Sequence, residues 1–277
     1  MSNIPPGNAE PAVNNWKNTI AITGAGSGFG AALARRYAQQ GWRVAVTDID
    51  EARAQTTLSE LDSGTSGSFA MRVDTTSQQH WQELEQDIQQ RWGGLQVLIN
   101  NAGVATSGNI EDSSMEDWQW VLDIDLMGVV RGCHQFAKMF KQQNAGHIVN
   151  VSSFAGLAGL PFVSSYGVAK AGVIALSEAL RAEMAPYNVG VTVACPAFVK
   201  TNLLDSFRTT EVDAKDRVTR WMETSGVSAE EVAEAIAKAI DKKQFMLLTH
   251  KQTRKAWLLK RWMPERYYKH IGKHSGR

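Results

Sequence analysis

The stretch that most limits what this chain can become is Thr23-Gly24-Ala25-Gly26-Ser27-Gly28-Phe29-Gly30. It lies between the apolar run Asn18 to Ile22 and the helical pattern Ala31 to Gln40, so its glycines fall where a strand turns into a helix. Such a turn needs residues that tolerate positive φ, and a backbone without Cβ lets a pyrophosphate approach the N–H groups at the helix start. The helix dipole favours the same anion. A glycine run by itself marks only a turn, and it is the flanks that make this one informative.

Beyond the glycines, short apolar runs alternate with amphipathic stretches, a pattern that predicts a parallel sheet wound in βαβ units. Strands are expected at Asn18 to Thr23, Arg43 to Asp48, Ser68 to Val73, Val97 to Asn101, His147 to Val151, Gly190 to Cys195 and Phe245 to Leu248. Helices are expected at Ala31 to Gln40, Glu51 to Leu61, Ser77 to Trp92, Met115 to Lys141, Ser165 to Met184 and Ala229 to Lys238. The 277 residues suffice for one large α/β domain and not for two ample ones. The expectation is one doubly wound domain over residues 18–250, with a flexible polar arm before it (1–17) and a tail after it (251–277). Ligands of such sheets bind beyond the carboxyl ends of the strands, where the strand order reverses.

Charge and cysteine usage narrow the function classes. A net charge of +1 exerts no overall pull on nucleic acid. Cys133 and Cys195 are too few for a disulfide framework and lack metal-ligand spacing with histidine, so two buried thiols in a reducing cytoplasm, and no metal site, are expected. Residues 1–17 lack the apolar stretch of a signal peptide, and no later run approaches 18 apolar residues, which argues against secretion by that route and against a membrane span.

The residues that could carry chemistry stand at predicted strand ends. Asp48 ends the second strand about twenty residues beyond the glycines, where a carboxylate can accept from both adenosine ribose hydroxyls. Its other reading is a helix cap, since Asp48 and Asp50 both precede a helix. Ser27 and Ile49 carry no cation for a 2′-phosphate, which favours NAD. Tyr166 and Lys170 share one helix face at i, i+4, close enough for the ammonium to favour phenolate and lower a pKa of about 10 in water. Ser152 and Ser153 end the fifth strand facing the same crevice, where a serine hydroxyl could hydrogen-bond a substrate oxygen while Tyr166 transfers its proton.

Taken in order, these motifs resemble the short-chain dehydrogenase/reductase family, over about Asn18 to Leu248. The family's Thr-Gly, three residues, Gly, one residue, Gly is matched by Thr23, Gly24, Gly28 and Gly30, and its Asn-Asn-Ala-Gly by Asn100, Asn101, Ala102 and Gly103. Asp74 and Thr75 match its adenine-contacting acid and the residue after it. Its catalytic serine lies thirteen residues before the tyrosine, which selects Ser153 over Ser152.

The resemblance implies a Rossmann-type fold and hydride transfer between nicotinamide and a carbon bearing oxygen. Tyr166 would be the acid/base, Ser153 the orienter of the substrate oxygen, and Lys170 both the tuner of Tyr166 and a ligand of the nicotinamide ribose. The implied cofactor set is Gly24, Ser27, Gly28, Phe29, Gly30, Asp48, Ile49, Asp74, Thr75, Asn101, Ala102, Gly103, Tyr166, Lys170, Pro196, Val199 and Thr201. Two positions depart from the family pattern. Its Pro-Gly reads Pro196-Ala197, and Asp125 replaces the Asn that belongs to the proton relay, near which the family's long helix is interrupted. Asp125 is expected to act on the base mainly through Lys170.

The expected function is NAD-dependent oxidation or reduction of a secondary alcohol or ketone with an apolar body. Phe154, Leu157, Leu160, Phe162, Phe198 and Leu203 are the expected apolar lining. Rival readings are an NADP-dependent carbonyl reductase and a slow-turnover nucleotide-binding sensor or scaffold. Ala197 to Gly226 is longer than a plain loop and reads as a substrate lid. The tail sets Lys251, Arg254, Lys255, Lys260, Arg261, Arg266, Lys269, Lys273 and Arg277 against Glu265 alone, with Trp257, Leu258, Trp262 and Met263 among them at helical spacing. It is expected to dock on a partner subunit or an anionic membrane surface, or to pack on its own domain. The family resemblance also implies a homodimer or homotetramer built on the Met115 and Ser165 helices.

Overall fold

The computed structural model describes residues 15–61 and 67–275. Most of the expected N-terminal arm, residues 1–14, and the last two residues of the tail lie outside these. The chain opens with β1 (Thr19–Thr23), α1 (Gly28–Gln39), β2 (Arg43–Asp48), α2 (Glu51–Ser59), β3 (Phe69–Arg72), α3 (Gln78–Trp92) and β4 (Val97–Asn100). It continues through a short β5 (Thr106–Ser107), α4 (Met115–Leu122), α5 (Gly128–Gln143), β6 (Gly146–Val151), α6 (Phe154–Ala158), α7 (Ser164–Met184) and β7 (Val189–Ala194). Then come β8 (Arg208–Thr209), α8 (Ala214–Thr224), α9 (Ala229–Asp241), β9 (Met246–Leu247), α10 (Lys251–Trp262) and α11 (Pro264–Ser275).

Seven strands pair in parallel in the order β3-β2-β1-β4-β6-β7-β9. Every residue of β1 and β4 is buried, as strands covered by helices on both faces must be. Alternation still sorts the side chains between the two cores. Ile20, Ile22, Val44, Val46, Val97 and Ile99 pack with Leu33 and Tyr37 of α1 and with Val232 and Ile236 of α9. Ala21, Ala45, Leu98 and Ile148 face Trp81, Leu84 and Ile88 of α3, Phe136 and Phe140 of α5, and Val173 of α7. The chain runs outward from β1 to β3 and then returns to place β4 on the other side of β1. That reversal opens a crevice at the carboxyl ends of β1 and β4.

The seven expected strands are all present, with ends shifted by about a residue, because strand pairing rather than composition decides where a ladder stops. The expected helix from Met115 to Lys141 is present as α4 and α5 joined through a π-helical turn at Asp123–Met127, where the family resemblance implied an interruption. Apolar periodicity continues through such a turn, so sequence pattern alone does not reveal it. The connection expected as a lid is folded. It holds a 3-10 turn at Asn202–Ser206, then β8 paired with β5, then α8. The tail forms two helices, of which α10 packs on α6. Among the described residues no helix is long and apolar enough to cross a membrane.

Candidate active site

A cavity of about 540 Å³ lies beyond the carboxyl ends of β1, β2, β4, β6 and β7. Its floor begins at the glycine turn. Gly24 has φ of 63° and Gly28 of 52°, the left-handed region that an unbranched backbone enters without strain. Ser27 occupies the N-cap position of α1 but its side chain caps nothing, so the helix start has no side-chain cap of its own. Every residue predicted for catalysis or cofactor binding lines the cavity except Gly30. Gly30 serves the packing beneath it: a Cβ there would collide with the Gly24 carbonyl oxygen, so its absence allows α1 to close on the turn.

The neighbouring strand ends brace this turn. Asn101 donates from Nδ2 to the Thr23 carbonyl at 2.8 Å and the Gly24 carbonyl at 3.2 Å, while the Thr23 hydroxyl accepts from the backbone N–H groups of Asn101 and Ala102. Asp48 accepts from the Gly26 N–H at 3.0 Å and from the Asp50 N–H at 3.0 Å. The cap of α2 is Asp50, which accepts from the Arg53 N–H, so Asp48 is left to bridge strand end and glycine turn. Asp74 accepts from both the backbone N–H and the hydroxyl of Thr76. Ala197 is absent from the residues with positive φ, so its backbone conformation suits alanine at the position where the family has glycine.

At the other end of the cavity stand Ser153, Tyr166, Lys170 and Asp125. Ser153 is the N-cap of α6 and accepts from the Ala155 N–H at 3.1 Å, and its hydroxyl acts on the Tyr166 phenol in the lowering direction. Ser152 is buried and donates to the Lys170 carbonyl, a structural bond at 2.7 Å. The Lys170 ammonium sits 5.7 Å from the Tyr166 ring centre, donates to the Val151 carbonyl at 3.2 Å, and pairs with Asp125 Oδ2 at 3.1 Å. The π turn delivers Asp125 to this spot, where its other oxygen accepts from the Val104 N–H at 2.8 Å.

Burial governs the ionisation of this cluster. It pushes the Asp125 carboxyl up, and Lys170 and the Val104 N–H pull it only part of the way back. Burial alone would lower Lys170, but Asp125 and Tyr166 outweigh it and hold the ammonium above its ordinary range. For Tyr166 the sequence-based expectation of a lowered phenol is corrected. Burial raises it, Lys170 lowers it, Asp125 raises it again, and the balance lies above the ordinary value. The side chain that lysine was expected to ionise therefore shares that lysine with a carboxylate.

The apolar lining is also partly corrected. Phe154, Leu160, Phe198 and Leu203 reach the cavity as expected, whereas Leu157 packs against the core and Phe162 does not reach the cavity. Trp120, Ile124, Leu204, Phe207, Val218 and Met222 complete the apolar wall. Arg53 also lines the cavity near Asp48 and was not anticipated; its place in the first turn after the strand-end acid is the signal that could have found it. Its guanidinium is paired with Asp50 at 3.1 Å.

With this geometry in hand, likeness to known proteins is informative. Residues 18–212 match the family described as short chain dehydrogenase, and the chain belongs to that family. It is 30% identical over 234 residues to "Probable oxidoreductase EphD" of Mycobacterium tuberculosis, covering 81% of this chain and 40% of that protein. The chain thus spans about two fifths of the length of this relative. It is 31% identical over 188 residues to the meso-2,3-butanediol dehydrogenase of Serratia marcescens, covering 68% and 74% of the two chains. A solved short-chain dehydrogenase/reductase of Burkholderia phymatum, in complex with NAD, superposes with a TM-score of 0.84 at 32% identity, covering 89% of this chain and 94% of that one. The chain is thus a member of the short chain dehydrogenase family, and the Burkholderia phymatum relative holds NAD.

Proposed function

We propose that this protein transfers hydride between NAD(H) and a secondary alcohol or ketone with an apolar body. The observation that carries the reading is the convergence of Ser153, Tyr166 and Lys170 on one cavity whose far end presents Asp48 and the uncapped start of α1. The fit to the cofactor rests on that glycine-built turn. Gly24, Ser27, Gly28 and Phe29 would take the pyrophosphate, while Asp48 and Ile49 would take the adenosine ribose. Asp74 and Thr75 would take the adenine, and Asn101 to Gly103, Lys170, Pro196, Val199 and Thr201 the nicotinamide half. NAD is favoured over NADP because the adenosine end carries Asp48 and Asp50 against Arg53, which is already paired. When bound, the nicotinamide ring supplies the hydride acceptor or donor.

The chain's own residues manage the oxygen. The Ser153 hydroxyl donates to the substrate oxygen and holds it beside Tyr166 Oη. In reduction the phenol donates its proton to the developing alkoxide, and in oxidation Tyr166 Oη takes the hydroxyl proton. A phenol raised above its ordinary value is in the donating form at neutral pH, which suits reduction of a carbonyl. The wall of Trp120, Leu160, Leu204, Phe207 and Met222 supports an apolar substrate body and excludes water. The relative named for meso-2,3-butanediol, itself a secondary alcohol, agrees with this class.

Tyr166→Phe tests the reading, since it removes the transferable proton and keeps the ring. kcat should fall by about 10²–10⁴-fold with NADH binding retained. A folded variant with near wild-type kcat would show that Tyr166 is not the acid/base.

A further inference from the structure

The C-terminal helix pair presents two unlike faces. Its inner face is tied to α6, where Lys260 donates to the Leu157 carbonyl at 2.6 Å and Tyr267, almost fully buried, donates to the Ala158 carbonyl at 2.9 Å. α6 follows its cap Ser153, and Ser153, Phe154 and Ala155 line the cavity, so this face backs the cavity wall. The outer face of α10 is different. At 100° per residue Lys251, Arg254, Lys255, Leu258, Arg261 and Trp262 fall within an arc of roughly 120°, and all six are exposed. Thr253, the buried residue of the helix, lies nearly opposite that arc. No acidic residue occurs anywhere on α10.

Apolar exposure continues beyond this arc. Trp262 is 76% exposed and Met263 follows it at 42%. Where α10 begins, His250 accepts from the Ala197 N–H, which places the helix start beside Phe198. Phe198 and Trp221 stack at 5.0 Å, and both are more than a third exposed at the edge of the segment over the cavity.

We propose that the outer face of α10 is a docking surface for an anionic lipid bilayer, with Phe198 and Trp221 turned toward the same interface. Charge complementarity selects this occupant: four cations without a counter-anion on the helix attract an anionic leaflet, and each is worth roughly a fivefold gain in partitioning near such a surface. Leu258, Trp262 and Met263 between and beside them fit the headgroup boundary, where Trp is at home, and find no counterpart on a nucleic acid backbone. Docking stands on this surface alone. Delivery of an apolar alcohol or ketone from the bilayer to the cavity additionally rests on the function proposed above.

Co-sedimentation of the full chain with vesicles is the test. Binding to phosphatidylcholine vesicles containing 30 mol% phosphatidylglycerol should exceed binding to pure phosphatidylcholine at least tenfold at low salt, and should fall steeply toward 1 M NaCl. Arg254→Glu/Arg261→Glu should weaken it by about 25-fold or more, and Trp262→Ser should weaken it at unchanged charge. Neither variant should alter kcat on a water-soluble alcohol, so failure of docking and failure of the enzymatic reading are separable. Equal binding to neutral and anionic vesicles, or none to either, overturns the proposal. So does a native mass that halves in Trp262→Ser, which would assign the face to a second copy of the chain. Displacement from anionic vesicles by a DNA duplex at equal charge concentration, with Trp262→Ser behaving as wild type, would assign it to nucleic acid.

Discussion

Single residues decide the chemistry of this chain, and Asp125 is the one whose character the fold changes most. In sequence it is one carboxylate in a helix; in the structure it is fully buried and 3.1 Å from the Lys170 ammonium. Asp125→Asn removes one of the influences that raise Tyr166 and leaves the pull of Lys170 uncompensated. The ammonium also loses support, but from a raised position. Alcohol oxidation needs the phenolate, so the acid limb of kcat/KM against pH should move to lower pH in Asp125→Asn. Superimposable profiles for the two proteins would show that Asp125 acts only as a hydrogen-bond acceptor for Val104. At the other end of the cavity, Asp48 would meet the 2′-phosphate of NADP. Like charges about 4 Å apart cost about 4 kcal/mol at an intermediate dielectric, less after rearrangement. kcat/KM should therefore favour NAD, and Asp48→Ala should narrow the ratio; a wild-type preference for NADP would sink the assignment. Because Asp48 also holds the Gly26 N–H, the variant should lose some activity with both cofactors.

At the scale of elements, the segment above the cavity is held by a small second sheet rather than by loops alone. β5 and β8 pair in parallel through Thr106, Ser107, Arg208 and Thr209, and the Thr106 hydroxyl is hydrogen-bonded to that of Ser165 at 2.7 Å. Arg208 closes the arrangement, pairing with Asp117 at 2.9 Å and stacking over Trp120 at 3.8 Å from the ring centre. The pair is partly exposed, so its ionic part is worth little, but the stacking adds up to about 1 kcal/mol. We expect this segment to act as a lid. Arg208→Ala should raise KM for the alcohol several-fold with little change in kcat, and should speed proteolytic cleavage between residues 197 and 226. Unchanged KM and unchanged cleavage would mean that β8 is held without Arg208. The π turn is the second element with consequences. Without its extra residue per turn, α4 and α5 would run on as one helix and Asp125 would not face Lys170 in the same way.

For the molecule as a whole, two groups of exposed apolar residues stand out among those described. One is the outer face of α10 described above; the other is the face formed by α4, the π turn and α7, where Met115 is 79% exposed, Val168 is 51% and Met127 is 41%. Apolar side chains on adjoining elements are the usual material of a symmetric subunit interface. Light scattering of the purified chain should therefore give two or four times the monomer mass. A monomer at micromolar concentration would leave the α4 and α7 face without that role.

How much of this was legible in the sequence differs by kind of feature. The parallel sheet, its winding and the residues at its strand ends were readable, because they depend on local periodicity and on glycines that only one kind of turn requires. That is why Gly24, Asp48, Tyr166 and Lys170 could be named from the residues themselves, whereas Asn101, and Ser153 in preference to Ser152, came from the family resemblance; all six line one cavity. Even Gly30, which does not line it, was in the right motif for a packing reason. The break in the long helix was expected from the family resemblance and not from the periodicity, and the folding of the 197–226 segment and the inward packing of Lys260 and Tyr267 were not readable. They arise from contacts between segments far apart in sequence, such as Arg208 with Trp120 and Tyr267 with Ala158. The same holds for the ionisation of Tyr166. Spacing put a cation beside the phenol, but burial and Asp125, brought in from another element, set the balance, since desolvation exists only once the chain has closed around the group.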